Sequence, residues 1–91
     1  MLQIIISNQF KRDLKLAQKR GYDLKMLNDV IDKLALRQPL PDIYRDHKLN
    51  GKYDGFRECH IQPDWLLVYR VDEKEIFLFL LRTGTHSDLF C

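Results

Sequence analysis

No apolar run in this sequence approaches the ~18 residues that a membrane-spanning helix requires; the longest, Ile76 to Leu81, has six. The triplet Ile4-Ile5-Ile6 is too short for the apolar region of a secretory leader and has no basic flank before it. Only two cysteines occur, Cys59 and Cys91. That excludes a disulfide scaffold, and both are expected to be free thiols in a reducing, cytoplasmic compartment. Four glycines and three prolines, scattered along the chain, leave no low-complexity segment, linker or internal repeat. Glycine-rich phosphate loops, Ser-His-Asp arrangements and close metal-binding pairs such as H-x-x-x-H are also missing. What remains, 45% hydrophobic and 31% charged in 91 residues, is the composition of one small globular domain spanning 1–91.

The net charge is +2, but the charge is unevenly distributed. Residues 1–37 carry eight Lys/Arg against four Asp, whereas residues 38–91 carry seven against nine acids and hold all three histidines. A basic first half suits a nucleic acid or an acidic partner; a solvated helix surface is the plainer reading.

Leu2 to Ile6 is apolar and β-branched, which predicts a first strand. Ser7 or Asn8 can cap a helix in which Phe10, Leu14 and Ala17 recur at helical spacing, and Gly21 ends it. Asp23 can cap a second helix with Leu24, Leu27, Ile31 and Leu34 inward, closed before Pro39. From Gln38 to about Gly55 no period stands out. A loop of that length is a candidate wall of a site. Phe56 to Ile61, Trp65 to Val71 and Ile76 to Leu81 then read as a β-meander. In its first strand Cys59 and Ile61 should face the core, leaving Glu58 and His60 outward together. The order β-α-α-β-β-β implies an α+β fold, a mostly antiparallel sheet with the two N-terminal helices on one face.

The chemistry concentrates near the C-terminus, in Arg82-Thr83-Gly84-Thr85-His86 and the following Phe90. Arg presents a planar fork to phosphate oxygens, and His exchanges protons near neutral pH. With His47, His60, Asp64 and Trp65 brought close, the set suits cleavage of RNA through its own 2′-hydroxyl. That reaction needs a base, an acid and a cation on the crowded phosphate, with aromatic rings to hold splayed bases. Each component also has a plain alternative. The histidines can be structural, Arg82 can pair with Asp88 or Asp64, Trp65 can be core, Phe90 an anchor and Glu58 a solvated acid. A zinc site of three His and one Asp is a further alternative. The histidines lie 13 and 26 residues apart beside a cationic Arg82, so no metal or other cofactor is expected.

Taken together, Lys15-Leu16-Ala17-Gln18-Lys19-Arg20, Asp46-His47, Gly55-Phe56-Arg57, Pro63-Asp64-Trp65 and the closing Arg82-Thr83-Gly84-Thr85-His86 with Leu89-Phe90 resemble the RelE/ParE superfamily of bacterial type II toxins, in its YafQ branch. The resemblance implies a RelE-like fold and a ribosome-dependent endoribonuclease that cuts mRNA in the A site without a metal. It also implies partners: the 70S ribosome with mRNA, and a small DNA-binding antitoxin whose C-terminal arm wraps the toxin. By that likeness His86 is the general acid and Arg82 the phosphate clamp, His47, His60 and Asp64 share base and orienting roles, and Phe90 places substrate. Trp65, Lys48 and Glu58, with Lys11, Lys15 and Lys19 on the first helix, are candidate RNA contacts. Glu58 stands where relatives carry Asp. The alternative within the superfamily is a ParE-like, non-enzymatic toxin that inhibits a protein such as DNA gyrase. A generic RNA-binding module is a third reading.

Overall fold

The computed structural model describes residues 1–90, so the expectation for Cys91 lies outside it. The chain forms β1 (Gln3–Ile6), α1 (Asn8–Lys19), α2 (Leu24–Ala35), β2 (His47–Lys48), β3 (Arg57–Gln62), β4 (Trp65–Asp72), β5 (Phe77–Gly84) and α3 (His86–Phe90). Short 3-10 turns occupy Asp42–Tyr44 and Gly51–Tyr53. The strands make one sheet in the order β1-β5-β4-β3-β2, antiparallel except where β1 lies beside β5. The α+β architecture matches the sequence-based expectation. Two elements have no counterpart in it: β2, inside the aperiodic segment, and α3, beyond the last expected strand.

Local chemistry explains the helix ends. The Ser7 hydroxyl accepts the Phe10 N–H at 2.9 Å and donates to the Leu81 carbonyl at 2.7 Å, so one residue caps α1 and ties it to β5. At the other end Gly21, with φ +78, donates to Gln18 O while Tyr22 donates to Ala17 O. That pair of bonds is a Schellman turn, and it needs the left-handed backbone glycine supplies. Asp23 caps α2 through the Lys25 N–H. This helix closes earlier than Pro39 requires, because Arg37 at φ +58 makes a second Schellman turn with Leu34 and Gln38 with Lys33.

Strand alternation divides the sheet. Cys59, Ile61, Trp65, Leu67, Tyr69, Leu78 and Leu80 pack beneath Phe10, Leu27, Val30 and Leu34 of the helices. Burial pushes the Cys59 thiol up to about 12, which leaves it inert at neutral pH. The opposite face buries a smaller group, Leu66, Val68, Tyr53 and Leu89. With both faces covered, β4 is the spine of the fold.

A bulge in β5 sets the direction of the next residues. Tyr69 pairs with Leu80 but Val68 pairs with Arg82, so Leu81 is inserted. Arg82 therefore shares the face of Val68, away from the main core, while Thr83 lies opposite Leu67. The outer edge of β5 is unpaired here, because β1 has ended and the chain has turned into α1. A buried acid fills the gap. Asp13 accepts the Thr83 N–H at 3.1 Å, Arg82 Nε at 2.9 Å and Arg82 Nη2 at 3.1 Å. The ion pair raises the pKa of the Arg82 guanidinium, the Asp13 hydrogen bonds being the leading cause.

Replacing Asp13 by Ala leaves a buried N–H and a largely buried guanidinium without an acceptor. We expect Asp13→Ala to lower stability by about 3 kcal/mol, read as the change in urea midpoint at constant slope. A change under ~0.5 kcal/mol, the range of neutral surface substitutions, would show that water replaces the carboxylate.

Candidate active site

The pairing register determines which functional side chains meet. His47 on β2 lies opposite Glu58 on β3, Glu58 opposite Val68 on β4, and Val68 opposite Arg82 on β5. Two residues along, on the same face, His60 lies opposite Leu66 and Leu66 opposite Gly84, after which the chain reaches Thr85 and His86. Two alternate rungs of one sheet thus gather residues separated by up to 39 positions in the sequence. The rings form a row: His47 to His60 is 6.2 Å between centroids, His60 to His86 5.8 Å, and His86 to Phe90 6.3 Å. Tyr53 stands edge-on to Phe90 at 5.4 Å and donates its hydroxyl hydrogen to Leu89 O at 2.9 Å.

Hydrogen bonds fix the orientation of each imidazole. His47 Nδ1 lies 2.7 Å from the Arg45 carbonyl and His60 Nδ1 3.2 Å from the Pro63 carbonyl. A carbonyl oxygen only accepts, so both Nδ1 atoms carry hydrogen and each ring turns Nε2 inward. Both Nε2 atoms face the same oxygen, Glu58 Oε1, at 3.6 Å for His47 and 3.2 Å for His60. Two imidazoles and a buried carboxylate, only 4% exposed, therefore form one compact group. The loop entering β2 is pinned by Asp46, which accepts the Tyr69 hydroxyl at 2.6 Å and Arg57 Nε at 3.2 Å.

His86 is held separately. Asp64 Oδ1 accepts both its backbone N–H at 2.9 Å and its Nδ1–H at 2.7 Å. These bonds, the backbone one first, hold the Asp64 carboxyl below its ordinary range. With Nδ1 occupied, Nε2 is the free nitrogen of an exposed ring.

Several sequence-based expectations need correction. Trp65 is buried and donates Nε1–H to Thr83 Oγ1 at 2.9 Å, with Tyr22 4.8 Å away. Its strand position faces the helices, so it is core and has no face free for a base. Glu58 is neither a solvated acid nor an exposed RNA contact, because the two imidazoles cover it. Arg82 pairs with neither Asp88 nor Asp64; two of its nitrogens go to Asp13, and Nη1 is the nitrogen outside that pair. Lys48 is exposed but lies next to His47 in a strand, on the opposite face. Lys11, Lys15 and Lys19 are exposed along one stripe of α1. The sequence assigned no site role to Asp13, Arg20 or Tyr53, and to Asp88 only that of a possible partner for Arg82. Asp13 alone carried a signal: an acid on the stripe of Phe10 and Ala17 requires a buried partner.

The depressed Asp64 pKa has a definite sign. Its tether to His86 is fully present above the ordinary carboxylate pKa of ~3.9 and is lost as pH falls through the lower folded value. The His86 amide proton should therefore titrate with a midpoint below ~3.9 in NMR spectra, and Asp64→Asn should abolish that titration. A midpoint at or above the ordinary value would mean that the contact is absent in solution.

Comparison with known proteins identifies the family and the fold. The family described as bacterial toxin of type II toxin-antitoxin system, YafQ, matches residues 2–91. The mRNA interferase toxin YafQ of Escherichia coli (strain K12) is 44% identical over 85 residues, covering 92% of this chain and 90% of that protein. A metal-bound toxin from Helicobacter pylori superposes with TM-score 0.93 at 51% identity, covering 99% of this chain and all of the other. YafQ in the E. coli DinJ-YafQ complex superposes with TM-score 0.91 at 40% identity, each chain covered in full. With profile, sequence and fold in agreement over nearly its whole length, the chain belongs to the YafQ family of type II toxin–antitoxin toxins.

Proposed function

We propose that this chain is an mRNA interferase, the toxin of a type II pair, which acts in the cytoplasm by cutting mRNA in the ribosomal A site and so arrests translation. The observation that carries the proposal is the row of three imidazoles, two of them around Glu58 and the third on Asp64. The His47–Glu58–His60 group takes the proton of the 2′-hydroxyl, and the 2′-oxygen attacks phosphorus. The bond from phosphorus to the 5′-oxygen breaks, and His86 Nε2 gives that oxygen its proton. The products are a 2′,3′-cyclic phosphate and a 5′-hydroxyl. Arg82, through Nη1, stabilises the added charge on the phosphate, and Phe90, 45% exposed, offers a face for a neighbouring base. The exposed lysine stripe of α1 suits contact with ribosomal RNA. The partner is a small DNA-binding antitoxin whose C-terminal arm wraps the toxin; the E. coli relative is held in complex with DinJ.

His86→Ala should lower single-turnover cleavage on programmed ribosomes by about 10²–10⁴-fold, the usual contribution of a general acid, while circular dichroism and antitoxin binding stay as in wild type. Sequencing of RNA ends should show 5′-hydroxyl termini that vanish in the variant. Undiminished cleavage by His86→Ala would remove the acid from this mechanism. Growth arrest without new RNA ends would instead favour a ParE-like inhibitor of a protein target.

One relative is metal-bound, and the ligand atoms of His47, Glu58 and His60 here lie within 4.8 Å of one another. Two inward Nε2 atoms and a carboxylate fit a nitrogen- and oxygen-preferring ion such as zinc or copper(II). The charge of Arg82, the cation that the sequence sets against a metal, is offset by Asp13. Such an ion would supply Lewis acidity there, but it would occupy the two Nε2 atoms on which proton transfer relies. Cleavage should accordingly survive a zinc-selective chelator under conditions that preserve the ribosome, and fall when zinc is added in stoichiometric excess. Activity lost on chelation and restored by zinc would reverse this assignment and make the metal part of the machinery.

A further inference from the structure

We propose that Arg20 and Asp88 are positioning residues that set the rotation of α3 and so the placement of His86 and Phe90; the proposal rests on the nuclease reading for its kinetic consequence. Helix α3 has five residues, too few to persist without outside support. Within it, His86 and Phe90 are four apart and share one face, while Asp88 points away from them. Two of its attachments lie on the side of the site and the minor core: Asp64 holds His86, and Leu89 is buried with its carbonyl on Tyr53. The third attachment is to α1. Arg20 Nη1 donates to Asp88 Oδ2 at 2.6 Å and Nη2 to Oδ1 at 3.1 Å, joining residues 68 apart in the sequence.

Both ends of this pair are set by local structure. Arg20 is the C-cap of α1, immediately before the Schellman glycine, so its backbone is fixed. Asp88 is in a reciprocal cap: its Oδ2 accepts the Thr85 N–H at 2.9 Å, and its own N–H donates to Thr85 Oγ1 at 3.1 Å. Gly84 gives the carboxylate room, since a Cβ there would lie 2.8 Å from Asp88 Oδ2. The guanidinium, followed by the Thr85 N–H, holds the Asp88 carboxyl well below the usual range. Asp88 thus stays charged wherever the enzyme works. Without Arg20, the two remaining attachments form a hinge about which α3 can roll, carrying the acid away from the row.

The test uses the full chain with Arg20→Ala, Asp88→Asn, the double variant and Arg20→Lys. A displacement of about 1 Å is enough for roughly 100-fold in rate, so kcat on programmed ribosomes should fall by about that factor while KM changes little. The double variant should be no worse than either single one, and Arg20→Lys should recover part of the loss. In NMR spectra the His86 imidazole signals should shift or broaden in Arg20→Ala and not in Arg20→Lys. Wild-type kcat in Arg20→Ala, a loss confined to KM, or an unmoved His86 signal would each overturn the proposal. A wild-type chain that cleaves no RNA would instead sink the nuclease reading, and the His86 signals would still report on the clamp.

Discussion

The carboxylate of Asp13 is the contact on which the arrangement depends. A parallel β1 can accompany β5 only as far as Ser7, because the chain must turn there to make α1. Beyond that point β5 would present a bare N–H at Thr83, in a place where Trp65 and Leu67 demand a dry environment. Asp13 accepts that N–H and Arg82 together, replacing the missing strand and neutralising the cation that the bulge at Leu81 brings to this face. Thr83 then holds Trp65 Nε1–H on its hydroxyl and donates to Leu66 O at 2.7 Å. One partly buried ion pair, an indole and two strand ends therefore form a single connected set. Such a set is costly to break at one member, because the others are left buried and unpaired.

Much of this could be read from the sequence. The caps at Ser7 and Asp23, the glycine after α1, the helix stripes and the strands from Phe56 onward all follow from local periodicity and turn chemistry. The placement of Cys59 and Ile61 against the core, with Glu58 and His60 opposite, followed from a period of two. The bulge in β5 did not. An inserted residue at Leu81 changes which face Arg82 occupies, and nothing in Phe79-Leu80-Leu81 marks that position. β2 escaped notice because two residues give no period. α3 escaped because five residues give barely one turn, and its outside contacts are with Arg20, Tyr53 and Asp64, far away in sequence.

The candidate site residues divide in the same way. Residue type pointed to His47, His60, His86, Asp64 and Arg82, since imidazoles and a guanidinium after an apolar strand are recognisable without coordinates. Trp65 shows the limit of that reasoning. Its ring suited a base, but the register at Gln62 turns it toward Tyr22 and the helices. Residue type could not tell an aromatic on the open face from one beneath the sheet, because both follow from a one-residue shift.

Glu58 is the strongest internal argument against a purely binding toxin. A carboxylate on the open side of a sheet would ordinarily be solvated, and burying one is unfavourable unless its oxygens are matched. Here the matching groups are two imidazoles, each with Nδ1 committed to a backbone carbonyl, so that only Nε2 can serve the acid. Surface complementarity to a protein target requires no such commitment of tautomers. Stability does not require it either, since an apolar side chain beside Val68 would be cheaper to bury. The departure from local rules is concentrated at two inward imidazoles around one buried acid, next to a third, exposed imidazole. Departures of that kind are expected at working sites rather than in scaffolding.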